Sequence, residues 1–262
     1  MLGAIIGDIV GSRFEFHNYR KKDFELFSNK CFFTDDTVMT CAIADYLTNK
    51  NDLIKTLKLY GRKYPYCGFG NHFSHWIMSN DTESYYSFGN GAAMRISAVG
   101  WIAKNENEVK KLSREITEVT HDHPEGLKGA EVTAMCIFYA RNGKDKEFIK
   151  SYAISQYPII KNLNYLDLVR KYQFNETCQN TVPQAIYCFL ISNDFEDCVR
   201  NSISIGGDSD TLAAISCAIA EAYWGVPSEF KKEVLKYFNK EDKELLLKAI
   251  HNFNLKIGID DL

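Results

Sequence analysis

Two stretches of this 262-residue chain are nearly free of charge, and each one follows a cluster of acids. From Thr37 to Leu47 the only charged residue is Asp45, and the segment is preceded by Thr34, Asp35 and Asp36. From Thr211 to Pro227 the only one is Glu221, behind Gly206-Gly207-Asp208-Ser209-Asp210. A helix that is apolar nearly all round belongs in an interior. Its first turn then lies near the interior too, where ionised carboxylates are costly unless paired or bound to metal. Helix capping is the competing account, because Thr, Ser and Asp are favoured N-caps and early acids suit the helix dipole. A cap, however, needs one oxygen acceptor, and Asp-Asp together with Asp-x-Asp supplies more carboxylate than that. An all-oxygen donor set suits magnesium, manganese or calcium and is poor for zinc.

The hydrophobic periodicity is helical almost throughout. It predicts helices over 2–12, 36–48, 53–62, 73–78, 92–103, 106–120, 127–142, 145–155, 183–192, 195–205, 208–224, 228–237 and 240–252. No pair of alternating runs joined by a tight turn reads as a hairpin. The expectation is an all-α chain, a compact helical bundle forming one domain over residues 1–262. Charge-rich amphipathic segments (106–120, 145–155, 240–252) belong outside. The Ala-, Gly-, Ser- and Ile-rich segments 2–12, 36–48, 92–103 and 208–224 let helix axes approach closely and are expected to form the centre. The N-terminal ends of these central helices then converge, which puts both aspartate clusters in one site.

Composition narrows the function. A net charge of −3 gives no general attraction to nucleic acid or anionic membranes, so neither is expected as a bulk partner. The eight cysteines form no C-x-x-C pair and several lie in apolar helical runs, which suits buried thiols in a reducing compartment. The apolar stretch Leu2–Val10 contains Asp8 and lacks a basic leader and a cleavage pattern, and no uncharged run reaches membrane-spanning length. A cytoplasmic protein is expected.

Other candidates are weaker. Ser87-Phe88-Gly89-Asn90-Gly91 precedes the neutral helix expected from Ala92; accessible glycine N–H groups and a helix N-terminus would cradle phosphate, with Phe88 under a base. Gly-Asn-Gly is also an ordinary turn. Gly68 and Gly70 form a second glycine loop with the same ambiguity. His121-Asp122-His123 has no carboxylate or cysteine at familiar spacing to complete a zinc site. His121 reads better as a donor to bound phosphate. His72 and His75 read as packing, and Glu15 is a lone acid in an expected loop. No nucleophile elbow, Walker loop or dinucleotide fingerprint occurs.

Taken in order, Gly7-Asp8-Ile9-Val10-Gly11-Ser12 with Glu15, Phe33-Thr34-Asp35-Asp36-Thr37, Gly89-Asn90-Gly91-Ala92-Ala93-Met94-Arg95, Thr120-His121, Val182-Pro183-Gln184-Ala185 and Ser204-Ile205-Gly206-Gly207-Asp208-Ser209-Asp210-Thr211 resemble the ADP-ribosylglycohydrolase superfamily. The resemblance implies a compact all-α fold and two magnesium ions, with manganese as the substitute, held by Thr34, Asp35, Asp36, Asp208, Asp210 and Thr211. It implies that Glu15 lies on a mobile loop over the metals, and that Ser87, Phe88, Gly89, Asn90, Gly91 and His121, with Gly68 and Gly70, meet the ADP portion. The implied reaction is hydrolysis of the glycosidic bond between ADP-ribose and an acceptor, in an ADP-ribosylated protein or another conjugate, releasing ADP-ribose. Asp35 or Asp36 is expected to deprotonate water, and Glu15 to gate the site or handle the leaving-group proton. Two other classes compete: a superfamily member that binds ADP-ribose without turnover, and a magnesium-dependent phosphoesterase or pyrophosphatase. Segments 82–86 and 162–179 match no pattern, and acceptor recognition is expected there.

Overall fold

The structure is a computed structural model that describes residues 1–259. It is all-α, and among the described residues there is no strand, only an isolated antiparallel bridge between Gly89 and Thr177. In chain order the helices are α1 (Leu2–Gly11), α2 (Asp35–Asn49), α3 (Leu53–Lys63), α4 (Asn71–Met78), α5 (Gly91–Met94), α6 (Ser97–Ile102), α7 (Glu106–Thr117) and α8 (Pro124–Arg141). They continue with α9 (Lys146–Gln156), α10 (Tyr165–Lys171), α11 (Cys178–Ile191), α12 (Phe195–Ser204), α13 (Ser209–Trp224), α14 (Ser228–Val234), α15 (Lys240–Asp242) and α16 (Lys248–Ile257). A π-helical turn, Lys243–Leu247, joins the last two.

The centre is the contact of α1 with α13. Gly3, Gly7 and Gly11 recur every fourth residue, so they share one face of α1, and that face lies directly on the backbone of α13. A Cβ at Gly7 would fall 2.2 Å from the Ala213 carbonyl oxygen, and one at Gly3 2.2 Å from that of Cys217. At Gly11 it would fall 2.5 Å from the Cα of Asp210. Small residues therefore do bring these axes together. Glu221, the one charge in its neutral segment, closes the other end of α1: its carboxylate accepts from the Met1 ammonium at 2.7 Å and from the N–H groups of Leu2 and Gly3 at 3.1 and 2.9 Å. Those are donors that a helix start leaves without intrahelical partners.

Three features depart from the sequence expectation. The centre is larger than four segments, because α8 and α11 also lie against α13, and α8 is buried continuously from Val132 to Ala140. The segment 92–103 is two short helices rather than one. Arg95 (φ −91°, ψ −4°) and Ile96 (φ −85°, ψ −5°) sit in the bridge region between α5 and α6; the turn sends the Arg95 side chain inward to Thr120 and His121. Finally, α11 starts at Cys178 and carries Pro183 inside it, while α10 lies within a stretch that showed no pattern.

Candidate active site

The N-termini of α2 and α13 meet. Thr211 Oγ1, in the first turn of α13, donates to Asp36 Oδ2, in the first turn of α2, at 3.2 Å. The convergence expected from two neutral helices is therefore present, and the capping account can be judged residue by residue. Thr34 is the N-cap of α2, its hydroxyl accepting from the Asp36 N–H at 3.3 Å. Such a cap contributes about 1 kcal/mol. A second cap arrives from α1: the Asp8 carboxylate accepts from Thr34 N–H (2.9 Å), Thr34 Oγ1 (2.7 Å), Thr37 N–H (3.1 Å) and Thr37 Oγ1. With Thr34 and Asp8 closing the helix, the carboxylates of Asp35 and Asp36 are not needed for capping. Asp36 Oδ1 is buried and has no hydrogen-bond partner, an arrangement that costs about 1–3 kcal/mol, more for a charge.

The second acid group is tighter still. One carboxylate oxygen each from Glu15, Asp208 and Asp210 lies within 4.8 Å of the others. Asp208 and Asp210 are buried; Glu15, just after the 3-10 turn Ser12–Phe14 that ends α1, is half-buried. Burial raises every one of these carboxyl groups; for Asp208 the hydrogen bonds from Asn90 and Thr211 oppose the rise, and for Glu15, Asp35, Asp36 and Asp210 repulsion by neighbouring carboxylates adds to it. Glu15 is pushed up to about 7 by burial and then by Asp208, Asp8 and Glu176. Asp36 is held well above the carboxylate range by burial and then by Asp8, Asp35 and Asp208. Asp35 is raised in the same way by burial, Asp8 and Asp208, and Asp210 by burial, Asp208, Asp36 and Glu15. Asp8 rises to about 6 through burial, against the pull of its four hydrogen bonds. Several carboxylates that raise one another, one of them with an oxygen lacking any donor, are the donor set a hard cation fits.

These acids form one end of a cavity of about 570 Å3, within the roughly 300–1,000 Å3 usual for small-molecule sites. Of the residues singled out from sequence, Glu15, Asp35, Asp36, Asp208, Asp210, Thr211, Gly68, Gly70, Ser87, Gly89, Asn90, Gly91 and His121 all line it. Thr34 is buried behind the wall, its hydroxyl donating to Asp8 and accepting from Asp36 N–H, which leaves one lone pair. Phe88 is 42% exposed and its ring lies 5.1 Å from that of His123, at the rim rather than on the lining. Asn90 is turned toward the acids: its amide donates to Asp208 Oδ2 at 2.6 Å and to Thr181 Oγ1 at 3.2 Å, tying the glycine turn to α13. Gly68, at φ +99°, carries its loop past Asp35, and a Cβ there would lie 3.4 Å from Asp35 Oδ1.

The His-Asp-His triplet does not converge on a metal position. His121 Nδ1 faces Thr120 and Arg95, Asp122 accepts from the Tyr86 N–H, and His123 caps α8 by accepting from Glu125 N–H. The helix dipole anticipated behind the glycine turn is largely missing too, because α5 has only four residues. Positive potential at that end comes instead from Arg95, which lines the cavity with its side chain 1% exposed. The sequence reading missed Arg95, Asp8 and Glu176 as site-forming residues. The first two carried a usable signal, each being the single ionisable residue in an otherwise neutral helical run.

The Glu15 loop is fastened to the second acid cluster. Asn18 donates to the Gly207 carbonyl at 2.9 Å and accepts from the Gly207 N–H at 2.8 Å, while Arg20 donates to the carbonyls of Val169, Ile205 and Tyr172 at 2.9, 2.7 and 2.7 Å.

A family profile described as ADP-ribosylglycohydrolase matches residues 1–255. Human ADP-ribosylhydrolase ARH3 is 24% identical over a 334-residue alignment that covers 96% of this chain and 91% of that protein. ADP-ribosylarginine hydrolase Tri1 of Pseudomonas putida (strain GB-1) is 23% identical, over 95% of this chain and 77% of its own length. A solved structure titled "ADP-ribosylglycohydrolase-related protein complex" superposes with a TM-score of 0.70 at 22% identity, covering 97% of this chain and 95% of that one, a likeness of fold. Acid pairs at two buried helix starts, a glycine turn tied to one of them through Asn90 and a match over nearly the whole chain agree: the chain belongs to the ADP-ribosylglycohydrolase family.

Proposed function

We propose that this protein hydrolyses the glycosidic bond between ADP-ribose and an acceptor, a protein side chain or another ADP-ribose conjugate, and acts as one domain. The observation that carries the reading is the lining of one cavity by clustered acids together with a glycine turn flanked by a buried guanidinium and an imidazole. A sugar set against the acids places its diphosphate toward the cationic end. The names of the relatives, which are hydrolases of ADP-ribosyl groups, support the same bond class.

Thr34, Asp35, Asp36, Asp208, Asp210 and Thr211 would hold two magnesium or manganese ions, and the unpartnered Asp36 Oδ1 and the mutually raised carboxyls are what such ions would satisfy. When bound, divalent cations supply Lewis acidity at the ribose hydroxyls and lower the pKa of water. The protein residues do the rest. Asp35, half-buried on the cavity wall, takes a proton from the attacking water through its carboxylate. Glu15, half-buried beside Asp208 and Asp210, handles the leaving-group proton through its carboxyl. Ser87, Gly89, Gly91 and His121 anchor the diphosphate, with Gly68 and Gly70 closing the side near Asp35. Binding energy gathered there holds the sugar in a geometry suited to an oxocarbenium-like transition state.

The eight cysteines are free thiols, seven of them buried, which supports a reducing, cytoplasmic setting. Among the described residues no helix is long and apolar enough to cross a membrane.

The deciding experiment incubates the protein with defined arginine-, serine- and acetyl-linked ADP-ribose conjugates, with magnesium and with chelator, and identifies the products. Free ADP-ribose formed only with the metal is expected. AMP with ribose phosphate would instead make the protein a pyrophosphatase, and binding without products would make it a non-catalytic receptor.

A further inference from the structure

The cationic end of the cavity contains a hydrogen-bond arrangement that determines where one proton sits. Arg95 Nη2 donates to Thr120 Oγ1 at 2.6 Å and lies 3.2 Å from His121 Nδ1. Thr120 Oγ1 lies 2.8 Å from the same ring nitrogen. A guanidinium has only donors. The Thr120 oxygen accepts from Arg95, so its own hydrogen is free to point at the imidazole. Arg95 can only donate, so Nδ1 meets it with its lone pair; the Thr120 hydroxyl, able to donate or accept, then donates to the same atom, and the ring proton is assigned to Nε2. That nitrogen faces the glycine turn: a Cβ at Gly91 would lie 3.3 Å from it, and one at Gly89 3.6 Å.

We propose that Arg95 is a positioning residue that fixes His121 as the Nε2–H tautomer, making a neutral imidazole a dedicated donor toward the anionic substrate group held over the Gly89–Gly91 turn. The assignment of that anion rests on the function proposed above; the tautomer does not. Further observations agree. Arg95 Nε has no hydrogen-bond partner, and the guanidinium stands 5.3 Å over the Phe73 ring, so the charge is held by an aromatic face and a Thr–His pair. Burial, and after it the Arg95 charge, hold His121 well below its usual value, so the two groups do not meet as two cations. The opposite tautomer would aim an N–H at the Arg95 donor and leave a lone pair facing the substrate anion.

The tautomer is readable directly by nitrogen-15 long-range correlation NMR on the full chain. In the wild-type protein His121 is expected as Nε2–H; an Nδ1–H tautomer or an imidazolium there overturns the inference, whether or not any variant folds. Arg95→Met is expected to give mixed tautomers and to weaken ADP-ribose binding about tenfold, the scale of one hydrogen bond to a charged group. Arg95→Lys, which keeps a donor, is expected to restore the Nε2–H signal and part of the affinity. A folded Arg95→Met protein with unchanged tautomer and affinity also overturns it. The spectrum is taken without ligand, so it decides this inference even if ADP-ribose does not bind, a result that would count against the proposed function instead.

Discussion

The two ends of the cavity are built in opposite ways. At the acid end, Glu15, Asp35, Asp36 and Asp210 are each raised by neighbouring carboxylates, Asp208 among them, and Asp36 has a bare oxygen. At the other end Arg95 Nη2 is engaged by Thr120 and His121 and Ser87 Oγ accepts from the Gly89 N–H at 3.1 Å, although Arg95 Nε has no hydrogen-bond partner. On the function proposed above, the first would take a cation and the second an anion. That reading assigns chemistry to the acid end and recognition to the other, with Asn90 as the tie between them through its 2.6 Å contact with Asp208.

The largest effect that would break this contrast concerns the acids. Asp36→Ala and Asp208→Ala should each lower turnover by at least about a thousandfold, the scale of losing metal-assisted activation, and should abolish magnesium uptake in calorimetry. Near-normal turnover in either would show that the acid end is not the reacting end. His121→Ala should give the converse pattern: ADP-ribose affinity down about 10- to 30-fold, with magnesium uptake unchanged. Loss of metal binding in that variant would erase the division of labour.

The third effect is on stability. In metal-free protein the folded state keeps protons on Asp8 up to about 6 and on Glu15 up to about 7, whereas the unfolded chain releases them at the ordinary carboxylate values near 4. Their contribution is therefore greatest at low pH and is lost as pH rises through 6 and 7. Magnesium competes with those protons, so the rise in Tm on adding it should be small at pH 5 and about 5 °C at pH 8. Thermal melts at both values would check it, and an equal rise at both would put the ion elsewhere. The smallest effect is expected at the rim: Phe88→Ala should change ADP-ribose affinity by less than about threefold, since an exposed ring against His123 has little to lose. A tenfold loss would return Phe88 to the lining.

How far the sequence spoke differs along the same division. The acid end was legible because two runs of carboxylate at the starts of neutral helices leave few places to go. Asp8 was harder, since one acid in an apolar helix does not say which turn it will close until α1 is placed beside α2. The cationic end was legible as a glycine turn but not in its cause. Residues 92–103 read as one helix because nothing in an Ala- and Gly-rich string marks a break; the break at Arg95 and Ile96 depends on Thr120 and His121, which arrive from the far side of α7. Segment 162–179 hid α10 and the approach of Tyr172 to Gly207 for a similar reason, since short helices with little periodicity are defined by what they lie against.

The glycine face of α1 has a consequence for how this protein tolerates change. With backbone seated on backbone at Gly3, Gly7 and Gly11, the helix has a single register, and that register sets the height of Asp8 under α2 and of Glu15 beside Asp210. One inserted residue would rotate everything beyond it by about 100° and misalign both carboxylates together. An unbiased screen for dead variants should thus recover bulky substitutions at Gly3, at the opposite end of α1 from Glu15, alongside the aspartates themselves.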